Sequence, residues 1–333
     1  MKKLSWSIKE LPLPLKFVWK ISRNSSSIKT NYLVQVKNEI SGNIALGEIA
    51  FNVRYGENLE YIYKEFLRFQ NLKVSNISLE EFDQFLIKHK FPCSLSFGLE
   101  SALTHLDALE QSSNVSNLFN LNRVCNIATS FSIPIMEESK LEGFFDEYNL
   151  KRFKFLKLKI GTEEDYILIN KLLKLSEVKL RIDGNECFQT ATQVLEFADK
   201  IDDLGRIEFF EQPLQSINIK EQKILKKNSP ILLAADESVI REQIPDYFAD
   251  LFDIVNIKLM KSGSYKNALN QIEKVKLLGL KVMTGCMVET SLGISSAMNL
   301  AELVDIYDLD GFLFLKEDPL NLINEDDGLL NFN

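Results

Sequence analysis

Two hydrophobic rhythms divide the 333-residue chain. Over roughly the first 120 residues, short alternating runs (YLVQV, IALGEIAF) mix with longer stretches of helical spacing (NLEYIYKEFLRFQNL, SLEEFDQFLIKH), the pattern of a small α+β domain. Between two of its strands, the serine- and asparagine-rich segment from Ile21 to Asn31 (ISRNSSSIKTN) reads as a flexible loop.

From about residue 125 the rhythm changes to short apolar runs, each followed by a helical stretch: FLKLKIG, VKLRIDGNE, IEFFEQPL, ILLAADES, IVNIKLMKSG, KVMTGCMVE and IYDLDGFLF. Lys159, Asp183, Glu211, Asp236, Lys258, Cys286 and Asp310 mark the ends of these runs at intervals of 22 to 28 residues. That is the length a strand, turn, helix and return loop occupy, so the pattern predicts an α/β barrel with a parallel sheet closed on itself.

The stretch FKFLKLKIGT, residues 153 to 162, sharpens this reading. Strand alternation puts Lys157 and Lys159 on one face and Leu156, Leu158 and Ile160 on the other. Alone, it fits an edge strand with a wet lysine face as well as a strand buried on both sides. In a barrel the C-terminal strand ends converge on one mouth. The two lysines then join a ring with Asp183, Glu211, Asp236 and Lys258.

Composition narrows the classes of function. A formal charge of -8 and a pI near 5.1 argue against nucleic acid, whose backbone calls for a cationic surface. The N-terminal apolar residues are interrupted by Lys9, Glu10 and two prolines, so they form no signal-peptide core. No later stretch has membrane-spanning length, and a soluble cytoplasmic protein is expected. Cys93, Cys125, Cys187 and Cys286 are widely spaced and read as reduced thiols. His89 and His105 are the only histidines, which argues against histidine metal cages and Ser-His-Asp chemistry. His105, inside ESALTHLDALEQ, reads as structural.

Three acidic groups from consecutive strands offer the hard oxygen donors Mg²⁺ favours. The alternative is that the lysines simply neutralise them as ion pairs. Lys159 and Lys258, separated by three acid-bearing strands, are expected to face each other across the ring. Burial, the neighbouring Lys157 and a divalent cation should lower their pKa from about 10.4. Two opposed bases and a Lewis acid suit removal of a proton α to a carboxylate through an enediolate.

At these residues the chain resembles the enolase superfamily in its muconate-lactonizing branch, where a lysine base and Mg²⁺ are established. The matching motifs are K-x-K (Lys157, Lys159), D-x-N (Asp183, Asn185), EQP (Glu211), DES (Asp236, with Glu237 beside it) and NIKLMKSG (Lys258). The resemblance implies a (β/α)7β modified TIM barrel over residues 121–315, an N-terminal α+β capping domain over 1–120, and a C-terminal segment, 316–333, returning to the cap. Asp183, Glu211 and Asp236 would be the metal ligands, and Lys159 and Lys258 the catalytic bases.

Within that superfamily the chain is similar to the dipeptide epimerases of the L-Ala-D/L-Glu type, on the stretches ISRNSSS, GEIAFNVRYGE, TSFSI, GCMVETSLGI and DLDG. This likeness implies epimerisation at the Cα of a dipeptide's C-terminal residue. Asp308 and Asp310 would bind the α-ammonium group, and Lys157, Asn185, Met287 and Glu289 would line the substrate site. The cap segments Ile21 to Asn31 and Ile49 to Gly56 would close over the mouth, bringing Arg23, Lys29 and Arg54 toward an acidic substrate side chain. Arg54 has Glu57 or Glu48 as alternative partners. The D-x-N segment departs from relatives in continuing Glu186-Cys187-Phe188, and Ser264 follows Gly263 where a second glycine is common, both of which bear on the pocket's shape.

The same ring would serve an o-succinylbenzoate synthase or N-acylamino acid racemase, for which an ammonium anchor has no use. A non-catalytic barrel should have lost a ligand or a lysine, and none of the five is missing. The expected partner is a small dipeptide, with cell-wall peptide as one source. Neither nucleic acid nor membrane is expected, and a homo-oligomer stays open.

Overall fold

A computed structural model of the chain describes all residues except Met1, Ser22, Arg23 and Glu242. The cap opens with an antiparallel sheet of β1 (Leu4–Ile21), β2 (Asn24–Asn38) and β3 (Ile44–Ile49), in that order. Alternate residues Tyr32, Val34 and Val36 of β2 are buried, and they share a core with Ile62, Phe66 and Phe69 of the helix Leu59–Asn71 and Leu99 of the helix Cys93–Glu110. Ser78 and Glu81 form a reciprocal capping box that starts the helix Leu79–Lys88.

The segment expected as a loop after Ile21 is strand from Asn24 onward. β1 and β2 pair down to Ile21 opposite Asn24, in one long hairpin. Backbone ladder bonds satisfy this segment whatever its side chains, so pairing overrides its low strand propensity. Pro12 and Pro14 are tolerated because β1 is an edge strand, and the register shifts between Pro14 and Trp19.

After β4 (Ile127–Ala128) the barrel strands follow: β5 (Ser130–Ile133), β6 (Phe155–Lys159), β7 (Lys179–Asp183), β8 (Ile207–Glu211), β9 (Leu233–Ala235), β10 (Ile254–Ile257), β11 (Lys281–Gly285) and β12 (Ile306–Asp308). Each pairs in parallel with the next, from β5 to β12. Side chains complete the ring at the seam between β12 and β5: Ser130 Oγ donates to Asp308 Oδ1 and Ser132 N–H to Asp310 Oδ2, both at 2.5 Å, while Leu309 N–H donates to Thr129 Oγ1 at 2.9 Å. The expected barrel with its capping domain is therefore present. Among the described residues the connection from β9 to β10 carries only the 3₁₀ turn Asp246–Asp250 in place of a helix, and Pro245 stands at its start.

Leu156, Leu158 and Ile160 are fully buried beneath the outer helices, while Lys157 is buried on the inner face. The lysine-bearing strand is thus covered on both sides, and the wet edge-strand alternative is ruled out. Phe209, Ala234, Ile254, Met283 and Ile306 form a separate apolar cluster, the inner packing of a small barrel. Past residue 315 the chain touches the cap where Lys316 N–H donates to Pro14 O, 2.9 Å. It then forms the hairpin β13 (Ile323–Asp326) and β14 (Leu329–Phe332), which pairs with β4 at the entry to the barrel.

Candidate active site

Parallel register places Lys159, Asp183 and Glu211 side by side at the ends of β6, β7 and β8, with Lys157, Arg181 and Phe209 one inward layer below. Asp236 lies just past β9, and Lys258 just past β10. Four strand positions separate β6 from β10 in either direction around the eight-stranded ring, so Lys159 and Lys258 arise from opposite walls.

The groups form one dense charge network. Lys157 Nζ lies 2.7 Å from Asp308 Oδ2, 2.6 Å from Glu211 Oε2 and 3.2 Å from Asp183 Oδ2. Lys159 Nζ meets the same Asp183 oxygen at 2.6 Å. Across the mouth, Lys258 Nζ donates to Asp236 Oδ2 at 2.8 Å. Asn256 Nδ2 donates to Glu211 Oε1 at 2.9 Å, and Asn185 Nδ2 to Glu237 Oε1 at 3.3 Å.

Electrostatics then separates carboxylates that burial alone would treat alike. Burial would raise the Asp183 carboxyl, but Lys157 and Lys159 hold it well below its ordinary value. Burial likewise acts on Asp236, and Lys258 and Lys261 overcome it. Glu211 is raised by burial, which Lys157 opposes and Asp183 reinforces. Glu237 is pushed up to about 7 by burial and the Asp236 and Asp183 charges.

Among the protein's own charges, without the divalent cation that the expectation included, the Lys258 pKa is not lowered. Burial does act downward on it, yet Asp236 and Glu211 outweigh burial and raise it. Lys157 is likewise raised by Asp183, Asp308 and Glu211. Anions within ion-pairing distance stabilise an ammonium by more than desolvation costs it, and only added positive charge in the cluster would reverse that balance.

Among the described residues, no three acidic, imidazole or thiol side chains stand in the spacing of a ready metal cage. The carboxylates are turned to ammonium groups instead. The donor set still fits Mg²⁺: Asp183, Glu211 and Asp236 are buried, all-oxygen and placed on three successive strands. Glu211 Oε2 is ion-paired with Lys157 at 2.6 Å, and no side-chain hydrogen bond is directed at it.

The remaining candidates fall in two groups. Asp308 is engaged by Lys157 and Ser130, which lower its pKa against burial. Asp310 accepts from Ser132 N–H, lies 4.0 Å from the Cys286 thiol, and is pushed up to about 7 by burial and Asp308. Glu289 is buried, accepts from Met287 N–H at 2.7 Å, and is pushed up to about 8 by burial and Glu48. Arg54 pairs neither with Glu57 nor with Glu48: its Nη2 lies 2.7 Å from Glu186 Oε1. Glu48 is taken up by Asn31, Thr290 and Gly293. Lys29 donates to Phe51 O at 2.8 Å. Arg23 lies outside the described residues.

Several contributors escaped sequence reasoning. Lys261 Nζ donates at 2.6 Å to both Asp236 Oδ1 and Asp236 O, and it sits one turn beyond Lys258 in NIKLMKSG. Gln212, the middle residue of EQP, accepts from Asp236 N–H and Ser238 N–H, each at 3.0 Å, from a backbone at φ 35°. A left-handed non-glycine residue is uncommon and marks a constrained site. Its only sequence signal was adjacency to Glu211. His105, by contrast, is structural as expected: Nδ1 is 2.6 Å from Leu46 O.

A closed parallel barrel with carboxylates on three successive strands and lysines on opposite walls is the arrangement found here, and it places this chain among barrels with a charged mouth. The family profile described as Enolase C-terminal domain-like matches residues 141–308, and the chain belongs to that family. The L-Ala-D/L-amino acid epimerase of Maribacter sp. is 30% identical over 318 residues, covering 95% of this chain and 92% of that one. The enzyme of the same name from Pedosphaera parvula is 31% identical over 335 residues, covering 96% and 93%. The dipeptide epimerase of Enterococcus faecalis, solved with Mg and L-Leu-L-Tyr, superposes with a TM-score of 0.88 at 22% identity over 100% of this chain and 98% of that one.

Proposed function

We infer that the chain is a Mg²⁺-dependent dipeptide epimerase, an isomerase that inverts the Cα of a dipeptide's C-terminal residue. The observation that carries this reading is the placement of Lys159 and Lys258 on opposite walls of the barrel, with Asp183, Glu211 and Asp236 between them. Asp183, Glu211 and Asp236 would hold Mg²⁺, which when bound would supply positive charge beside the substrate's carboxylate. One lysine removes the α-proton, and the other returns a proton to the opposite face. Asn256 and Gln212 fix Glu211 and the Asp236 backbone, so the carboxylates need little reorganisation during turnover.

Asp308 is already matched by Lys157, whereas Asp310 is held by a neutral amide. Asp310 is therefore the carboxylate whose charge an incoming α-ammonium completes. That pairing favours dipeptides over the succinylated substrates of the alternative enzymes. The relatives named for L-Ala-D/L-amino acids support a substrate with N-terminal alanine.

The division into cap (1–120), catalytic barrel (121–315) and closing segment (316–333) belongs to the same proposal, as do a cytoplasmic location and cell-wall peptide as the dipeptide's source. No helix among the described residues is long and apolar enough to cross a membrane. The test is incubation with L-Ala-L-X dipeptides and Mg²⁺ in D₂O. Deuterium should enter at the C-terminal Cα of both epimers, and absence of exchange from every dipeptide would sink the assignment.

A further inference from the structure

The segment from Asn52 to Gly56 spans the barrel mouth. Asn52 Oδ1 caps its single 3₁₀ turn by accepting from Arg54 N–H, and Gly56 ends it at φ 74°, where a left-handed backbone is needed. At one end Asn52 Nδ2 stands 3.8 Å from Met287 Sδ in the loop after β11. At the other, Arg54 Nη2 lies 2.7 Å from Glu186 Oε1 in the loop after β7 and 3.4 Å from Ser216 Oγ in the loop after β8. The loops after β7 and β11 belong to opposite walls.

The barrel side of the contact is itself held in place. Asn185 and Glu186 take φ values of 40° and 64°, consecutive left-handed non-glycine residues that persist only where surrounding contacts enforce them. Glu186 N–H donates to Gln212 O at 2.8 Å, and Glu186 Oε1 also accepts from Ser216 N–H at 2.8 Å. The Glu186 side chain is 6% exposed and that of Arg54 29%, with an open cleft of about 280 Å³ alongside.

We propose that Arg54 is a positioning residue, latching the cap segment across the mouth through Glu186 and Ser216, and that it does not read the substrate's side chain. This rests on the epimerase reading above. The latch acts on every dipeptide alike, because it sets closure of the mouth. The acidic preference expected from Arg54 is then absent, since its charge is already matched.

The test compares kcat and KM of wild type, R54Q, E186Q, R54Q/E186Q and the charge-reversed R54E/E186R on L-Ala-L-Glu, L-Ala-L-Leu and L-Ala-L-Lys. Each single variant should lose roughly two- to fivefold in kcat/KM, the scale of a partly exposed ion pair. The loss should be equal across the three substrates, no larger in the double variant, and partly restored by the reversal. A loss confined to L-Ala-L-Glu in R54Q, with E186Q unaffected, overturns the latch and makes Arg54 a side-chain reader; additive losses in the double variant also overturn it. Amide hydrogen exchange gives a readout without turnover: the 52–56 segment should exchange faster in E186Q than in wild type, and unchanged protection refutes the latch. If wild type turns over no dipeptide, the epimerase reading fails and this exchange measurement alone decides the latch.

Discussion

Two pairs of buried carboxylates, Asp183 and Asp236 at the barrel mouth and Glu48 and Glu100 where the cap meets the barrel, behave in opposite ways. At the barrel mouth, Asp183 and Asp236 are held ionised because lysines stand within about 3 Å of each. Where the cap meets the barrel, Glu100 and Glu48 are equally buried but are met chiefly by neutral donors. Glu100 Oε2 accepts from Tyr265 N–H, at the start of the helix Tyr265–Leu277. Glu48 accepts from Thr290 N–H, Thr290 Oγ and Gly293 N–H, at the start of the helix Ser291–Met298. Both use a helix N-terminus, whose open amides and dipole favour an acceptor. Burial dominates there and raises both, Glu100 to about 8. Burial is thus no guide to protonation until the neighbouring cations are known: Asp183 and Asp236 keep their charge beside lysines, Glu211 and Glu237 in the same mouth are raised, and the seam uses carboxyls as hydrogen-bonding joints.

The strongest way to break this comparison is to remove charge at the mouth. Asp183→Asn, Glu211→Gln or Asp236→Asn should lower kcat/KM by about a thousandfold or more while circular dichroism stays native, because each loses a carboxylate of the proposed metal site. Calorimetric titration should show weakened Mg²⁺ binding in each, and near-normal turnover at limiting Mg²⁺ would contradict the ligand assignment. The two lysines should next prove separable. Lys159→Ala should abolish α-proton exchange from one epimer and Lys258→Ala from the other, each dropping epimerisation by about a hundred- to ten-thousandfold. Equal residual exchange from both epimers in either variant would refute a two-sided arrangement.

Effects at the seam should appear as stability with little change in chemistry. Glu48→Ala leaves the Thr290 and Gly293 donors without their acceptor and should cost about 2–3 kcal/mol in urea unfolding. A smaller, pH-dependent effect is expected at Glu100. Its folded pKa of about 8 lies above the ordinary 4.5, so the folded state holds a proton that the unfolded chain releases between those values. Its contribution is therefore full below about 4.5 and is lost as pH rises toward about 8. Glu100→Gln should gain stability over wild type as pH goes from 5 to 8, on the order of 3 kcal/mol. A gain that does not change with pH would show that Glu100 ionises normally.

Legibility followed the range of the interactions. The site residues could be read because each sits at the end of an apolar run, and strand spacing alone carries such residues to one barrel mouth. β5 lay outside that spacing: only four residues long, with Ser130 and Ser132 facing the β12 seam, it offers little apolar signal. The Asn24–Asn31 part of the serine- and asparagine-rich segment differs from the expected loop because its strand character comes from pairing with β1, which side-chain composition does not encode. Lys261 was visible as a residue but not as a partner of Asp236, because its role depends on a single helical turn between Leu259 and Ser262.

By itself the sequence determined the repeating βα architecture, the members of the charged ring, their order around it and the oxygen character of the proposed metal ligands. These properties follow from local periodicity and residue chemistry. Tertiary structure alone decided which charges meet. It placed Lys157 among three carboxylates, turned Arg54 to Glu186, and raised Lys258 where burial alone would have lowered it. Ion-pair energies change steeply over a few ångströms in a low-dielectric interior, and those distances are set by groups far apart in the chain.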